Sequence, residues 1–419
     1  MFKAFGSRKM GAIMLLGFSS GLPLYLTSRT LQAWMTVAGV NLTAIGFFSL
    51  VSLPYSAKFL WSPLIDRFCL PLLGRRKGWL LATQLALAGA IAAMAWSRPA
   101  GQVQRVALNA LVIAFVSATQ DITVDAYVSD LTDRSEAGAA SSMKILGYRV
   151  AMIVTGAGAL IAADMVSWPA VYFVSGVVML ILAISCSRLP EPVFDNRPPA
   201  SIEEAIRMPL ADFFRRNGPA RALCILMFMI LYRLSDSMIG NMTTPFLIQS
   251  GFGQTDIGVI QGGVGLAATI AGVLAGGAIM SRIGVNRSLW LFGVLQAASN
   301  LAYLALAYIG RRYCVMAGAI IIENACYGLA TAALVAFIMT LCNPKFSATQ
   351  YALLSSLVAA GRDVLAAPSG SIAEAVGWPA FFLISVGAAA PGMMLLPAFA
   401  PLRLKRGISP VEPVSKELC

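Results

Sequence analysis

The sequence predicts an all-α polytopic membrane protein of twelve spanning helices in two halves of six. Three observations predict it. Of 419 residues, 58% are hydrophobic and only 12% charged, against roughly 45–50% and 25% in soluble domains. The apolar residues fall in continuous runs of about 20, the length that one helix needs to cross hydrocarbon, and not in the alternation of a membrane barrel. Short signals also recur at a fixed offset. Gly39-Val-Asn-Leu-Thr-Ala-Ile-Gly46 returns as Gly251-Phe-Gly-Gln-Thr-Asp-Ile-Gly258, 212 residues on, and Trp168-Pro-Ala170 returns as Trp378-Pro-Ala380, 210 residues on.

In chain order the first six spans are expected at Lys9 to Trp34, Leu42 to Pro63, Gly78 to Trp96, Val106 to Asp130, Ala139 to Ala163 and Trp168 to Leu189. The second six are expected at Ala220 to Ser250, Thr255 to Ser281, Ser288 to Ile309, Tyr313 to Leu341, Phe346 to Val376 and Trp378 to Leu402. The implied organisation is an N-terminal bundle over 1–189, a linker over 190–219, a C-terminal bundle over 220–403 and a tail over 404–419. The linker holds Pro190, Pro192, Pro198 and Pro199, then Ser201 ahead of Glu203 and Glu204, the signature of a capped amphipathic surface helix. A repeat of this kind, with each half itself three plus three inverted, places a binding site between the halves near the midplane.

Orientation follows from where lysine and arginine fall. Alternate loops on one side collect Lys3, Arg8, Lys9, Arg67, Arg75, Arg76, Lys77, Arg134 and most of the remaining basic residues, whereas the other side has only Arg98, Arg105, Arg311 and Arg312. Both termini and the linker are therefore expected in the cytoplasm. The net charge of +12 is dispersed between apolar spans instead of forming one basic stripe, so topology explains it and a nucleic-acid partner is not expected. The seven cysteines are odd in number and lack C-x-x-C spacing, which suits small apolar residues better than disulfides. Lys3, Arg8 and Lys9 before an apolar run imitate a signal peptide, but the run is too long and has no small-residue cleavage site; it reads as the first span.

Two motif matches lose their chemistry in context. Gly17-Phe-Ser-Ser-Gly21 fits the serine-hydrolase elbow, yet the chain contains no histidine and the match lies inside an apolar span. Gly263-Val-Gly-Leu-Ala-Ala268 fits a relaxed dinucleotide fingerprint with no strand before it. Packing between helices through small residues is the better reading there, as for Gly272 and Gly276. Without histidine a metal site is not expected either.

The informative residues are charges inside spans, because a charge at mid-bilayer costs at least about 2.5 kcal/mol and faces a partner or a water-filled cavity. They are Arg29, Lys58, Asp121, Asp125, Lys144, Arg149, Arg233, Asp236, Glu323, Arg362 and Asp363. Lys58 sits near enough to a span end to snorkel. Asp121 and Asp125 lie one turn apart on one helix face. Counting inward at about 1.5 Å per residue, Asp125 and Lys144 lie about 8 Å deep and Asp121 and Arg149 about 14–15 Å deep, which matches the pairs Asp125–Lys144 and Asp121–Arg149. Arg233 and Asp236 are three apart on one helix. Glu323 has no base nearby in the sequence, which makes it the better proton-carrier candidate.

A resemblance runs through nearly the whole chain. Gly17-Phe-Ser-Ser-Gly-Leu-Pro-Leu24, Leu31-Gln-Ala-Trp34, Phe59-Leu-Trp-Ser-Pro-Leu-Ile-Asp-Arg67, Gln120-Asp121 with Asp125, Leu146-Gly-Tyr-Arg149, Thr244-Pro-Phe-Leu247, Glu323-Asn324, and Phe346-Ser-Ala-Thr-Gln350 with Gly361-Arg362 resemble the AmpG permeases of the major facilitator class. Asp66-Arg67 with Gly74-Arg75-Arg76 resembles the loop between spans two and three of major facilitators, and Arg282-Ile-Gly284 is its degenerate second copy. The resemblance implies a monomeric carrier in the bacterial inner membrane that imports a small amphiphilic glycopeptide, a GlcNAc-1,6-anhydro-muropeptide from cell-wall turnover. Its partners are then substrate, lipid bilayer and protons, with no cofactor beyond the proton gradient. With that function, Arg29, Gln120, Tyr148, Arg149, Arg233, Gln350 and Arg362 are substrate-binding candidates on this chain, and Asp121, Asp125, Asp236 and Glu323 proton-coupling candidates. Arginine suits substrate carboxylates because its fork binds in two places and cannot deprotonate.

Against the family pattern, Val128 and Gly262 stand where a basic residue is usual, and Arg29, Lys144 and Asp363 where charge is not. Those departures keep a second reading open, a same-fold carrier for another amphiphilic anion such as a siderophore or an acyl-nucleotide. A membrane-embedded enzyme or sensor is disfavoured by the lack of any catalytic cluster.

Overall fold

The computed structural model describes residues 8–67, 74–132, 136–190, 207–343 and 347–398. The first six spans are α1 (Lys9–Val37), α2 (Leu42–Leu60), α3 (Arg76–Met94), α4 (Val103–Leu131), α5 (Ala139–Met165) and α6 (Trp168–Ser187). A short amphipathic helix, α7 (Met208–Asn217), follows. Then come α8 (Pro219–Gln249), α9 (Gln254–Ile283), α10 (Val285–Ile309), α11 (Tyr313–Leu341), α12 (Ser347–Ala366) and α13 (Ser369–Ala398). Ser201 with its expected cap, most of the Pro-rich connection and the tail over 404–419 lie outside the described residues.

One boundary differs from the sequence reading. The expected continuous span from Phe346 to Val376 is interrupted at Ala367–Pro368, between α12 and α13, and the chain reverses inside α13 at Gly377, whose φ is +75°. The eleventh span is therefore α12 plus the start of α13, and the twelfth begins at Trp378. Proline at 368 explains the interruption, since it removes a backbone donor from the helix. Elsewhere local chemistry sets the starts of helices. Asn41 accepts from the Ala44 amide at 2.8 Å ahead of α2, and Ser167 precedes Trp168-Pro169, with proline in the first turn where its missing N–H costs nothing.

The repeat seen in the sequence has a backbone counterpart. Gly39 and Gly251 have φ of +77° and +84°, and Gly74 and Gly284 have +90° and +81°, a region that favours glycine. Departures from α-geometry recur in the same register. The 3-10 segment Phe48–Ser52 of α2 matches the π segment Ile260–Gly265 of α9, and the π segment Val154–Gly158 of α5 matches the interruption at Ala367–Pro368. These are the places where a spanning helix most easily bends.

Close packing uses small residues, as membrane helices without a hydrophobic driving force must. A Cβ at Gly17 of α1 would lie 2.1 Å from the Lys144 carbonyl oxygen of α5, and one at Gly272 of α9 would lie 2.1 Å from the Ala325 carbonyl oxygen of α11. The apolar core is asymmetric along the membrane normal. At the face away from the chain ends, one cluster joins the two halves, from Leu31, Leu42 and Ile45 to Phe246, Ile257 and Phe382. At the face carrying the termini each half keeps its own cluster, around Tyr127 in the first and around Phe228 and Phe337 in the second. Among the described residues the apolar core thus joins the halves at the far face and not at the terminal face.

Candidate substrate site

Between the halves lies a cavity of about 320 Å³, at the lower end of the range for small-molecule sites. Its charged groups are placed by irregularities in the helices. Arg29 follows a break in α1 at Thr27–Ser28, and its guanidinium sits 5.5 Å from the centre of the Tyr25 ring. Arg149 lies on α5 just before the π segment, with Nη1 3.9 Å from Met152 Sδ. Arg233 occupies the break in α8, stacks 4.4 Å from the Tyr327 ring centre and stands 2.6 Å from Asp236. That last contact is an ion pair by distance without hydrogen-bond alignment, since neither oxygen of buried Asp236 has an aligned donor.

Arg362 of α12 is fixed from behind. Its Nε donates to Asp363 Oδ1 at 2.9 Å, and the other oxygen of Asp363 accepts from Ser52 in α2, across the two halves. Ser49 of α2 also donates to the Asp363 carbonyl at 3.1 Å. Glu323 of α11 accepts from Asn324 Nδ2 at 2.8 Å, and the charges of Asp236, Arg29 and Arg233 act on it. Glu323 has no base on its own helix, as the sequence indicates, but the next residue of that helix, Asn324, is its amide donor, and the charges of Arg29 and Arg233 reach it from other helices.

A division of charge emerges. All three carboxylates of the cavity, Asp236, Glu323 and Asp363, come from the second half, where Asp236 pairs with Arg233 and Asp363 with Arg362, which leaves Glu323 outside both pairs. Arg29 and Arg149 come from the first half and have no carboxylate within ion-pair distance among the described residues. Two arginines of the first half therefore face a second half in which two ion pairs are closed and one carboxylate, Glu323, is left to act on Arg29 across the cavity.

Of the residues singled out in the sequence, Arg29, Arg149, Arg233, Asp236, Glu323, Arg362 and Asp363 line this cavity. Lys58, Gln120, Asp121, Asp125, Lys144, Tyr148 and Gln350 do not. Asp121 is paired with Lys58 Nζ at 3.5 Å and accepts from Ser20, so the expected Asp121–Arg149 pair is not formed and Lys58 does not snorkel. Arg149 turns into the cavity, while α2 brings Lys58 to the carboxylate. Asp125 does pair with Lys144, outside the cavity. Gln120 is buried against Ser19 at 2.9 Å, and the Tyr148 backbone and ring pack over Gly21. Gln350 lies at the terminal face, where it donates to the Pro209 carbonyl at 2.8 Å and to Asp212 at 2.9 Å and ties α7 to the second half.

Sequence reasoning restricted to charges missed the neutral polar lining. Gln32 and Asn241 reach the cavity, and Gln32 Oε1 and Asn241 Nδ2 are buried without a hydrogen-bond partner. Buried polar groups are nearly always satisfied, so these two amides are polar groups of the lining whose remaining hydrogen-bonding capacity no neighbouring side chain takes up. The signal was present as glutamine and asparagine at membrane depth. Tyr25 and Tyr327 were missed for the same reason, and they give the cavity two aromatic faces.

Comparison with known proteins agrees with this architecture. A profile of the Major Facilitator Superfamily matches residues 10–366. The chain is 46% identical over 396 residues to the anhydromuropeptide permease of Escherichia coli K12, covering 94% of this chain and 80% of that one. It is 33% identical over 404 residues to the putative transporter AmpG 4 of Rickettsia conorii, covering 94% and 97%. In solved structures, the nucleoside transporter NupG has the same fold, with a TM-score of 0.73 at 14% identity over 94% of this chain and 99% of that one. A profile match along most of the chain, and relatives that span nearly all of it, establish that the protein is a multi-pass membrane transporter, not an enzyme, and that it belongs to the Major Facilitator Superfamily among the AmpG-type permeases.

Proposed function

We propose that this protein imports GlcNAc-1,6-anhydro-muropeptides across the bacterial inner membrane by proton symport, for the recycling of cell-wall fragments. The observation that carries the reading is the 46% identity, along 94% of the chain, to a relative named as an anhydromuropeptide permease. The cavity supports it chemically. Two arginines that form no ion pair among the described residues, Arg29 and Arg149, suit peptide carboxylates; the amides of Gln32 and Asn241 add polar character to the lining; and Tyr25 and Tyr327 suit the apolar faces of sugar rings.

Both termini are assigned to the cytoplasm on the distribution of basic residues, which makes this conformation the one open to the cytoplasm. Proton coupling falls to Glu323 and Asp236, the cavity carboxylates not fixed across to α2, with Asp121 and Asp125 committed to lysines elsewhere. Arg233 and Arg362, each already beside a carboxylate, hold the second half in place more than they bind substrate.

The test is counterflow in proteoliposomes containing the purified protein, with labelled anhydro-muropeptide inside and outside and a siderophore and an acyl-nucleotide as competitors. Muropeptide counterflow that only muropeptides compete with is expected. Counterflow of another anion in its absence overturns the reading in favour of a same-fold carrier.

A further inference from the structure

The far face of the molecule is closed by more than apolar packing. Glu374, near the end of the eleventh span, reaches across to the first turn of α2: its Oε1 accepts from the Leu42 amide at 2.8 Å, and its Oε2 accepts from the Thr43 hydroxyl. Asp164, near the end of α5, reaches the other way, to the first turn of α9. Its Oδ2 accepts from the Thr255 amide at 3.1 Å and the Thr255 hydroxyl at 2.8 Å, and its Oδ1 from Gln254 Nε2 at 3.1 Å.

The two arrangements are copies of each other. Asp164 and Glu374 are 210 residues apart, as Trp168 and Trp378 are; Thr43 and Thr255 are 212 apart, as Gly39 and Gly251 are. Each carboxylate belongs to one half and grips a backbone amide and a threonine hydroxyl of the other. Beneath each contact the helices touch closely. A Cβ at Gly46 of α2 would lie 2.7 Å from the Gly370 nitrogen, and one at Gly258 of α9 would lie 3.0 Å from the Ala157 carbonyl oxygen. The bends at Phe48–Ser52, Val154–Gly158, Ile260–Gly265 and Ala367–Pro368 follow just below.

We infer that Asp164 and Glu374 are a matched pair of latches that position the two halves at the far face, and that both must release for the cavity to open to that side. The geometry requires it. An ordinary capping residue serves its own helix or a neighbour in the same bundle, and its bonds survive movement between bundles. These bonds join the bundles, so separation of the halves at this face breaks them together. A carboxylate that accepts from an amide makes a charge-assisted bond, stronger than a neutral one, and its exposure to solvent at the far face keeps it reversible.

Hydrogen–deuterium exchange on the full-length protein in nanodiscs, without substrate, tests this independently of what is transported. Glu374→Ala is expected to raise exchange in 251–259, the segment that Asp164 holds, as well as in 40–47. Asp164→Ala is expected to do the converse. Both are expected to raise exchange in the buried segments 29–37 and 239–249, by roughly tenfold for loss of one set of charged hydrogen bonds. Asp164→Asn and Glu374→Gln keep an acceptor oxygen and are expected to restore most protection. Arg105→Ala removes an exposed charge at the same face outside both latched segments and is expected to leave exchange as it was. A change confined to the segment that each carboxylate caps, with the opposite copy and 29–37 unchanged, overturns the proposal, as does an equal effect from Arg105→Ala.

Discussion

Lys58 Nζ stands 3.5 Å from Asp121 Oδ2, while the other oxygen of Asp121 accepts from Ser20. Three helices of the first half, α1, α2 and α4, meet on this carboxylate, whose side chain is only 12% exposed against 33% for Lys58. The lysine lies in the short 3-10 turn Lys58–Leu60, where α2 departs from its helical path. The interaction therefore belongs to the structure of the bundle and not to the cavity.

Asp121→Asn is expected to cost more than the change of both partners, Asp121→Asn with Lys58→Met, because removing one partner leaves a partly buried charge unmatched. A loss of about 1–3 kcal/mol is expected for the single change, with at least half recovered in the double. Thermal unfolding in detergent checks it, and strictly additive losses defeat the pairing.

The pair Lys144–Asp125 is expected to behave differently. Here the carboxylate is 50% exposed, so solvent screens the contact and its coupling should be about 0.2–1 kcal/mol. A double-mutant cycle with Asp125→Asn and Lys144→Met measures it. A coupling of several kcal/mol means that the pair is drier in the membrane than its exposure indicates.

Gly17→Ala and Gly147→Ala should each destabilise the first half, because the new Cβ meets backbone: 2.1 Å from the Lys144 carbonyl oxygen and 2.0 Å from the Met14 carbonyl oxygen. Separating α1 from α5 to make room is expected to cost about 1–3 kcal/mol. Gly89→Ala, in α3 with nothing within 4 Å of the added carbon, should be neutral or stabilising. Equal melting temperatures for the three variants contradict this account of the α1–α5 contact.

Docking of α7 should depend on pH through Asp212. Burial is the largest single influence and pushes this carboxyl up, but hydrogen bonds from Asn343, Gln350 and Arg216, with the Arg216 charge, together outweigh it and hold the group below its ordinary value. A depressed folded value means that the contribution is fully present above the unfolded value of about 3.9 and is lost as pH falls through the lower folded value. Protection of 208–217 against exchange is expected to stay constant from pH 7 to about 4 and to fall only below that. Asp212→Asn should remove the pH-dependent part, and an equal acid response in that variant excludes Asp212 as its source.

Much of this was legible in the sequence because periodicity, punctuation and repetition are local. Gly39 and Gly251 mark the same turn in both halves, and Trp168 and Trp378 the same helix start. The Asp125–Lys144 contact was also legible, because depth along a hairpin of helices fixes both residues. What depth does not fix is the direction in which a side chain points around the helix axis, and so Arg149 was assigned to Asp121 when it faces the cavity. Gln350 was displaced for another reason: its place depends on how α7 returns to the second half, which no local pattern encodes. The cross-half bonds of Asp164, Glu374 and Asp363 were invisible for the same reason, since they exist only once the two halves are closed on each other.

The last expectation concerns coupling. Glu323 projects from α11 into the cavity with a neutral amide, Asn324, as its hydrogen-bond donor, and Arg29 of the other half acts on it through space. A carboxylate held by a neutral donor tolerates a proton more readily than one locked in an ion pair, and its electrostatic link to Arg29 crosses the boundary that opens during transport. Protonation at one face and release at the other then follow from whether Arg29 and the substrate's own carboxylates stand near it. Glu323→Gln is expected to abolish uphill accumulation driven by a pH gradient while sparing counterflow, because exchange needs no net proton movement. Asp236→Asn leaves Arg233 uncompensated and should impair both activities. If Glu323 serves only to pack α11, the glutamine variant should keep both activities or lose both in proportion. Gradient-driven accumulation retained in Glu323→Gln would move the coupling role to Asp236, whose oxygens also lack an aligned donor.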